Sequence, residues 1–549
     1  MRTYITIALS ALTLVGNAQK LKKADKPIFT NLQTHISFLA SDELEGRRAG
    51  TEGEKKAQEY IVKQFEAIGL SPKGNDGFRQ EFDINDGKQI GSATFLIING
   101  NELKVNQDFY PLTFSANGST EAAVSATLPE KGVPWFIDLK EYLEENKDNP
   151  HFDLSTELKN KAAKAAEKGA TAFIVYNTGT IVDNLKFNPK DRPEMAPIPV
   201  LYITETGRKK VLSDPEATLD MKLKVAITDK IRKGANIVGY IDNGASSTVV
   251  IGAHFDHLGY GEDGNSMVRT GEKLIHNGAD DNASGTAAMI ELARYFKNKK
   301  ETKQNYLFLA FSAEELGLNG SKYFADNPTI DLKSVNYMIN MDMVGRLNDS
   351  TKVLTVGGFG TSPWWSQLFT KYSSDKKSYF TLKYDSSGTG PSDHTSFYRK
   401  DIPVLFFFTG LHSDYHRPSD DADKINYMGE LQIVKFVSSI VDATPAYNRL
   451  VFTKTRETQT TTSARFSVSM GIMPDYTYAG TGVHVDGVTE GRPAQKAGIQ
   501  KNDVILQLGD FPTNTVEAYM QALGKFKKGD KTTVKYKRGE AVASTEVQF

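Results

Sequence analysis

The sequence predicts an α/β protein with a mostly parallel central sheet flanked by helices, a small β/α insert and a C-terminal β-rich domain. Between about residues 235 and 445, short apolar strands alternate with amphipathic helices, the pattern of a parallel sheet. The chain has 549 residues, enough for three to four domains at roughly 150 residues each. Hydrophobic residues make up 39% and charged residues 24%, which excludes a disordered, collagen-like or coiled-coil protein.

Charge and cysteine content exclude several classes of function. Lys and Arg number 66 and Asp and Glu 67, so the net charge is −1. Without a basic excess to neutralise phosphates, we expect no nucleic-acid partner. Cysteine is absent, which excludes disulfides, thiolate zinc sites, iron–sulfur clusters and cysteine nucleophiles. Any bound metal must therefore be held by His, Asp and Glu side chains.

Residues 1–18 have the pattern of a secretory signal peptide. Arg2 precedes an apolar run from Ile5 to Val15, and the small residues Gly16 and Ala18 follow where a signal peptidase would cut. This run is too short to cross about 30 Å of hydrocarbon, and no later stretch is long and apolar enough to do so. We expect cleavage near Ala18 and export to a bacterial periplasm or the medium, with which the absence of cysteine agrees.

The first part of the main domain, residues 19–107, begins with two helices joined by a polar turn. Apolar residues recur at helical spacing towards the end of this segment, and Gly69 is a helix stop. Short strands follow to about Val105. The sequence pattern changes in residues 108–230. An Ala-rich helix ends at Gly169 and leads into a buried strand at Thr171–Tyr176. This segment is predicted to be an inserted β/α unit.

The second part of the main domain, residues 231–447, carries the β/α alternation. The predicted strands are Thr248–Gly252, Tyr306–Phe311, Tyr337–Met341 and Val404–Phe408. The predicted helices are Ala283–Phe296, Gly320–Asp326, Trp364–Tyr372 and Leu431–Val441. In such a sheet, functional residues gather beyond the carboxyl ends of the strands. Residues 456–463 are polar and Thr-rich, and residues 448–463 are predicted to be a linker. Residues 464–549 are predicted to be a compact unit of short strands.

Histidine and acidic residues cluster in this second part. Six of the nine histidines lie between His254 and His416. His254 ends a strand, and Asp256 points the same way two residues later, so its carboxylate can orient the imidazole for a metal. Asp280 and Asp281 precede a small-residue helix start, where free amides stabilise carboxylates.

Further acidic residues follow other buried strands. Glu314 and Glu315 follow two residues after Tyr306–Phe311, and two glutamates there are costly unless a cation compensates their charge. One of the pair could be a metal ligand and the other a general base. Asp342 follows the next strand, and Tyr415 and His416 lie in the loop after Val404–Phe408. A His, Asp, Glu, Asp, His set without cysteine suits two zinc-like ions bridged by a carboxylate.

Five motifs occur in an order that resembles a known family. They are GAHFDH, GADDNASG, AEELG, NMDMVGR and YHRPSDD, and an entry segment LASDELEGRRAGTEGEKKAQEYI precedes them. The chain resembles the secreted di-zinc aminopeptidases, whose relatives include glutamate carboxypeptidase and the catalytically inactive transferrin receptor. The resemblance covers roughly residues 30–108 and 235–447 and implies a zinc-exopeptidase fold of the phosphorylase/hydrolase-like type.

The resemblance also implies the role of each site residue. His254 and Asp342 would hold the first zinc ion, Glu315 and His416 the second, and Asp281 would bridge the two. A second group would take part in the reaction without holding zinc: Glu314 as general base, Asp256 as the residue that orients His254, and Tyr415 as a donor to the oxyanion. By the same comparison His394 is not a ligand, and no role is assigned to His257, His276 or His412.

The insert and the tail resemble accessory domains. In the insert, AAEKGATAFIVYN and IPVLYI resemble a protease-associated (PA) domain, although KGVPWFIDL departs from the usual opening of that domain. The tail resembles a bacterial PDZ domain through VTEGRPAQKAGIQKNDVILQLGD, with residues 470–473 as its peptide-carboxylate loop. A PDZ domain implies that a peptide or a protein C-terminus is a partner.

These expectations favour an exported aminopeptidase that removes N-terminal residues from peptides. Carboxypeptidase or dipeptidase action at the same centre stays open, because Arg346, Arg399 and Arg417 lie near the motifs and could bind a terminal carboxylate. Glutaminyl cyclisation, which related folds perform with one zinc ion, is disfavoured by the complete ligand set. A non-enzymatic scaffold would have lost ligands, and none is lost here.

Overall fold

The computed structural model describes residues 21–149, 152–189, 195–214, 216–268, 272–299, 304–373, 378–444, 449–455, 468–474, 481–488, 491–514 and 516–549. The predicted signal peptide and residues 456–463 of the predicted linker lie outside them. The chain divides into two compact units, Met1–Phe82 with Lys233–Phe549, and Asp83–Arg232. In the described part of the chain, no helix combines the length and the apolar character that crossing a membrane requires.

A nine-stranded sheet organises the first unit, and the predicted fold class is confirmed. Eight strands form a continuous path in the order Ser71–Pro72, Ile227–Ile241, Asn305–Phe311, Thr248–His254, Val335–Met341, Val404–Phe408, Val353–Gly357 and Thr381–Tyr384. The ninth strand, Arg79–Ile90, pairs with Ile227–Ile241. The three pairings among the four central strands are all parallel.

The four predicted core strands all form, each within a few residues of its predicted bounds. They are buried along their length except for a partly exposed Phe406. Sequence reasoning did not foresee the strands Val353–Gly357 and Thr381–Tyr384. The first of them pairs antiparallel with Val404–Phe408, so the sheet is mixed towards that edge.

Helices cover the sheet and complete its core. The longer helices of the first unit, outside the C-terminal domain, are Lys26–Leu39, Glu52–Ile68, Gly285–Asn298, Asn319–Asp326, Pro363–Ser373 and Tyr427–Ala443. Shorter helical segments are Asp42–Arg47, Ala279–Ser284, Leu332–Ser334, Phe359–Thr361, His394–Tyr398 and Ala422–Lys424. The helix Glu52–Ile68 ends as predicted at Gly69, whose φ of 83° is the left-handed conformation that glycine adopts at low cost.

The second unit contains two four-stranded sheets. One is antiparallel throughout, in the order Asn101–Leu103, Phe95–Ile98, Thr218–Val225 and Gly118–Ser125. The other has the order Phe109–Pro111, Val200–Ile203, Phe173–Tyr176 and Trp135–Asp138, and its last three strands are parallel. The helices are Lys140–Asn146, Leu154–Glu167 and Glu205–Val211.

The second unit begins earlier than the insert predicted from residue 108. Its bounds are Asp83–Arg232. The reason is the strand Phe95–Ile98, which pairs with Thr218–Val225, so both ends of the segment contribute to one sheet. The sequence pattern of residues 83–107 predicts short strands but not their partners, so the insert predicted from residue 108 does not include them.

The C-terminal segment has a sheet and an apolar core of its own. Its strands are Ile472–Pro474, Val483–Val488, Val504–Leu508, Phe511–Pro512, Lys531–Arg538 and Ala541–Gln548, with helices Pro493–Lys496 and Val516–Leu523. All pairings in this sheet are antiparallel. Met470, Ile505 and Val534 are among its fully buried side chains. Gly471, in the predicted carboxylate loop, has a φ of 79° directly before the first strand.

Candidate metal centre

Four loops that follow neighbouring strands bring the predicted site residues together. His254 ends the strand Thr248–His254, and Asp342 directly follows Val335–Met341. Glu315 lies four residues beyond Asn305–Phe311. Because these strands are parallel neighbours, their carboxyl ends meet at one edge of the sheet. The loop after Val404–Phe408 adds His416, and the segment Ala279–Ser284 adds Asp281.

The first cluster consists of His254, Asp281 and Asp342. Their candidate ligand atoms all lie within 4.8 Å of one another. The Nε2 atom of His254 is 3.3 Å from Asp342 Oδ1 and 3.4 Å from Asp281 Oδ1. Ligands of a tetrahedral zinc ion at about 2.0–2.1 Å from the metal are separated by roughly 3.3–3.4 Å. This spacing fits a bound zinc-sized ion.

The second cluster shares Asp281 and adds Glu315 with two histidines. The Nε2 atom of His416 is 3.3 Å from Asp281 Oδ2 and 3.2 Å from Glu315 Oε2. The Nδ1 atom of His257 is 2.8 Å from Glu315 Oε1 and 4.0 Å from Asp281 Oδ2. One oxygen of Asp281 thus faces each cluster, the arrangement that a bridging carboxylate requires.

Hydrogen bonds on the far side of the rings orient both predicted histidine ligands. Nδ1 of His254 lies 3.2 Å from the backbone oxygen of Asp256, and Nδ1 of His416 lies 2.9 Å from that of Asn265. A carbonyl oxygen only accepts, so each Nδ1 carries a proton and each Nε2 is the ring atom that faces the carboxylates. Lone pairs that face carboxylate oxygens repel unless a proton or a cation lies between them.

Charge in the centre also calls for a cation. Burial alone would lower the pKa of His254, but the carboxylates of Asp342 and Glu314 hold it well above its ordinary value. For Asp281, burial opposes ionisation, but hydrogen bonds with His254 and His416 hold its pKa well below the usual range. The carboxylate of Asp281 is therefore ionised, and the residues present fit a divalent ion in each cluster.

The two adjacent aspartates of the GADDNASG motif have different surroundings. Asp280 accepts hydrogen bonds from Ser284 Oγ at 3.0 Å and from the amide of Gly345 at 2.6 Å, and His412 Nε2 lies 3.1 Å from its other oxygen. Its carboxylate is thus occupied within the fold. The carboxylate of Asp281 instead faces His254 and His416. The peptide bond from Asp281 to Asn282 is cis.

Asp256 anchors the loop that carries the two glutamates. The amide of Glu314 donates to Asp256 Oδ1 at 3.0 Å, and the amide of Glu315 reaches Asp256 Oδ2 at 3.4 Å. Its Oδ1 is 3.6 Å from Nδ1 of His254, and the nearer partner of that nitrogen is the Asp256 backbone oxygen. Asp256 therefore touches the imidazole through its backbone and holds the glutamate loop through its carboxylate.

Glu314 is placed as a proton acceptor would be. Its carboxylate is partly exposed and has no hydrogen-bond partner among the residues that the structure describes. Burial raises the pKa of Glu314 well above its ordinary value, and the carboxylates of Asp342 and Asp393 add to this effect while His254 opposes it. A raised pKa suits a group that takes and returns a proton.

A buried polar network supports the glutamate loop from behind. Ser312, two residues before Glu314, donates its hydroxyl to Glu54 and its amide to Asn236 Oδ1, the latter at 3.1 Å. Asn236 in turn donates to the carbonyl of Gly320 at 2.9 Å. Glu54, Ser312 and Asn236 are fully buried or nearly so. Both ends of the loop 312–320 are therefore fixed.

This network predicts a pH-dependent stability. Burial raises the pKa of Glu54 to about 8, so the folded chain keeps a proton that the unfolded chain releases near its ordinary pKa. The contribution of Glu54 to stability is then full in acid and falls as the pH rises towards 8. We expect the melting temperature of Glu54→Gln, relative to wild type, to rise between pH 5 and 8. If the melting temperatures of the variant and of wild type change in parallel across that range, Glu54 is not a buried acid with a raised pKa.

Tyr415 and His394, two further residues of the sequence analysis, are placed as follows. The ring of Tyr415 stacks on that of His416, with centroids 3.9 Å apart. His394 is buried and stacks on Phe406 at 4.5 Å, and burial lowers its pKa to about 3. His394 belongs to neither cluster. Its neighbour Asp393 is also buried, and burial raises the pKa of Asp393 to about 7.

Sequence reasoning gave His257 no role, but the structure places it in the second cluster. Its side chain is buried, and its Nε2 atom has no partner among the described residues. The signal in the sequence was its position, three residues after His254 at the end of a buried strand. His276 remains outside the clusters and bonds to Ser266 Oγ at 2.7 Å.

Family models and relatives agree with this architecture. The model for peptidase family M28 matches residues 236–441, and a PDZ domain model matches residues 459–549. Aminopeptidase YwaD of Bacillus subtilis is 27% identical over 455 residues, which cover 77% of this chain and 89% of that protein. Leupeptin-inactivating enzyme 1 of Streptomyces exfoliatus is 32% identical over 170 residues, 30% of this chain and 37% of that enzyme.

A solved structure, the aminopeptidase from Aneurinibacillus sp. strain AM-1, is 24% identical, with a TM-score of 0.42 over 78% of this chain and 97% of that one. The family match contains all five predicted metal ligands, together with Asp256, Glu314 and Tyr415. The C-terminal match agrees with the predicted tail domain. The chain therefore carries a peptidase family M28 domain followed by a C-terminal PDZ domain.

Proposed function

We propose that the protein is a di-zinc aminopeptidase, which hydrolyses the peptide bond after the N-terminal residue of a peptide. His254 and Asp342 would hold one ion, His416 and Glu315 would hold the other, and Asp281 would be shared by the two. The observation that carries the proposal is the position of Asp281, with one carboxylate oxygen 3.4 Å from His254 Nε2 and the other 3.3 Å from His416 Nε2.

Each of the proposed catalytic residues has a separate task in this reaction. Two bound divalent ions would supply Lewis acidity and lower the pKa of a water molecule between them. Glu314 takes a proton from the attacking water and delivers it to the leaving amine. Tyr415 donates to the oxyanion that develops on the scissile carbonyl. Asp256 keeps the Glu314 and Glu315 amides, and with them both carboxylates, in position.

Release of N-terminal rather than C-terminal residues is supported by the relatives and by the surroundings of Arg346. Aminopeptidase YwaD of Bacillus subtilis, named for that activity, is 27% identical over 77% of this chain. A carboxypeptidase needs a cation for the terminal carboxylate. Arg346, one of the three candidates, already bonds to Asp414 at 3.2 Å and lies 3.8 Å from Asp420, so its charge is balanced within the protein.

A panel of blocked peptides tests which end is cut. We expect the mature chain to shorten a free peptide and its C-terminally amidated form at similar rates, from the N-terminus, and to leave the N-acetylated form intact. Mass spectrometry identifies the end that shortens, and Glu314→Gln is the matched control for contaminating peptidases. Cleavage of the acetylated peptide, together with failure to cleave the amidated peptide, would establish carboxypeptidase action instead.

The PDZ domain is expected to be dispensable for chemistry. It has its own core, supplies none of the proposed ligands and follows the predicted linker, so it should be separable. A chain ending near Arg456 should hydrolyse a dipeptide-like substrate at close to the full rate and keep its melting temperature. Long peptides or a protein partner should be affected, because PDZ domains add a ligand strand to a sheet edge. Collapse of dipeptide turnover would show that the tail completes the active site.

Export and the nature of the insert complete the proposal. The pattern of residues 1–18 supports secretion with cleavage near Ala18, and the intact mass of protein recovered from cell fractions tests it. An uncleaved chain that stays in the cytoplasm would contradict the export proposal.

The second unit, Asp83–Arg232, is proposed to be a PA domain, supported by its parallel strands Trp135–Asp138, Phe173–Tyr176 and Val200–Ile203.

A further inference from the structure

Arg47 is a fully buried arginine that contacts the backbone of the metal centre. Its side chain has no exposed surface. The guanidinium donates to four backbone carbonyls: from Nε to Phe255 at 2.7 Å, from Nη1 to Asn277 at 2.6 Å and to Leu39, and from Nη2 to Gly278 at 3.0 Å. A buried arginine is costly unless such partners satisfy it, so this arrangement calls for an explanation.

Three of these acceptors belong to the segments that carry metal ligands. Phe255 lies between His254 and Asp256. Asn277 and Gly278 directly precede the turn that carries Asp281. One side chain therefore ties the end of the central strand to the turn with the bridging carboxylate. The planar fork of a guanidinium can reach several acceptors in fixed directions, which the single ammonium of lysine cannot do.

The backbone around Arg47 also contacts the segment that follows His254. Glu45, Gly46 and Arg47 have φ values of 47°, 71° and 50°, a run of left-handed residues that is costly for the two with side chains. The carbonyl of Gly46 accepts from the amide of Gly259 at 3.0 Å, and that of Arg47 from the amide of His257 at 3.3 Å. The turn thus runs alongside the segment that follows His254.

The turn also tolerates little change. A Cβ atom on Gly46 would lie 2.6 Å from the carbonyl oxygen of His276 and 2.7 Å from that of Gly259. Burial lowers the pKa of Arg47 to about 10, against the opposing effect of the carboxylates of Asp256 and Asp281. The side chain therefore stays positive at neutral pH and offsets part of the negative charge of the centre.

We propose that Arg47 is a positioning residue of the metal centre. It fixes the spacing between the His254–Asp256 strand end and the Asp281 turn, and thereby sets the affinity for the ions without touching the ions or the substrate. The inference rests on the proposed function, because it takes these residues to be ligands.

The test compares Arg47→Lys with Arg48→Lys. Arg48 is the matched control, because it follows Arg47 in the same turn but pairs with the carboxylate of Asp263, at 2.7 and 2.9 Å. Zinc affinity is measured by competition with a chromophoric chelator, and ligand geometry from the visible spectrum of the Co²⁺-substituted protein. We expect Arg47→Lys to bind zinc about 10–100-fold more weakly, the range for residues that support ligands, and to change the Co²⁺ spectrum. Arg48→Lys should match wild type in both.

The outcomes separate this inference from the proposed function. If wild type binds two ions and Arg47→Lys has the same affinity and the same Co²⁺ spectrum, the inference is wrong while the proposed function stands. If wild type binds no ion, the proposed function is wrong and the inference with it. Should Arg47→Lys not fold, as judged by circular dichroism, Arg47→Gln replaces it, because its amide keeps a planar donor, and the same two outcomes apply.

Discussion

Replacing Glu314 with glutamine should leave both ions bound and lower kcat by at least about 100-fold, or about 2.7 kcal/mol in the activation barrier. Glutamine has nearly the same shape but accepts no proton at neutral pH. The carboxylate of Glu314 accepts no hydrogen bond from another described residue, so the substitution should change little of the surrounding structure. Metal analysis and kcat on the same preparation check the result.

The neighbouring residue provides the matched control for this variant. Glu315→Gln makes the same chemical change one position along, but Glu315 Oε2 lies 3.2 Å from His416 Nε2 and Oε1 lies 2.8 Å from His257 Nδ1. We expect this variant to lose affinity for one ion and to regain activity when zinc is raised. Equal metal loss in both variants would mean that the roles of the two glutamates are divided wrongly.

Replacing Asp281 with asparagine should weaken binding of both ions, because it removes the charge and one ligand oxygen that the two clusters share. The loss should exceed the about 10–100-fold that removing a supporting residue costs, and activity should fall with it at ordinary zinc concentrations. Calorimetric titration of the metal-free protein measures both affinities. Loss of only one ion would show that Asp281 belongs to one cluster and does not bridge.

Asp280→Asn is the control for that experiment. Asp280 is next to Asp281, but its carboxylate bonds to Ser284, Gly345 and His412. Its replacement should therefore lower the melting temperature more than the metal affinity. Equal metal loss in the two variants would indicate that the turn as a whole, rather than the Asp281 carboxylate, is what the ions require.

Short-range patterns predicted most of the central fold. The strands Thr248–His254 and Asn305–Phe311 could be located because each is mostly apolar and buried along its whole length. This is the sequence pattern of a buried parallel strand. Polar residues immediately after these strands then had to meet at one edge. His254, Glu315 and Asp342 lie together for that reason. Asp281 and His416 lie further along the chain from any strand end, and their place beside the other three was implied only by the family resemblance.

Features that depend on distant contacts could not be predicted. His257 follows Asp256 in a motif that gave it no function, and only the approach of Glu315 brings its Nδ1 atom to 2.8 Å from a carboxylate. Arg47 lies in a polar turn, and nothing local predicts its complete burial. The strand Phe95–Ile98 could not be assigned to the second unit from the sequence, because its partner lies over a hundred residues later, at Thr218–Val225.

Titration of the metal-free chain with zinc, with hydrolysis of an aminoacyl substrate followed at each step, tests the two-ion centre most directly. The account predicts that two ions bind per chain, that activity reaches its maximum at two equivalents and that a chelator abolishes it. It also predicts that the N-acetylated substrate is not hydrolysed at any point of the titration. Full activity at one equivalent, with no second ion bound, would contradict the shared role of Asp281 on which the proposed function rests.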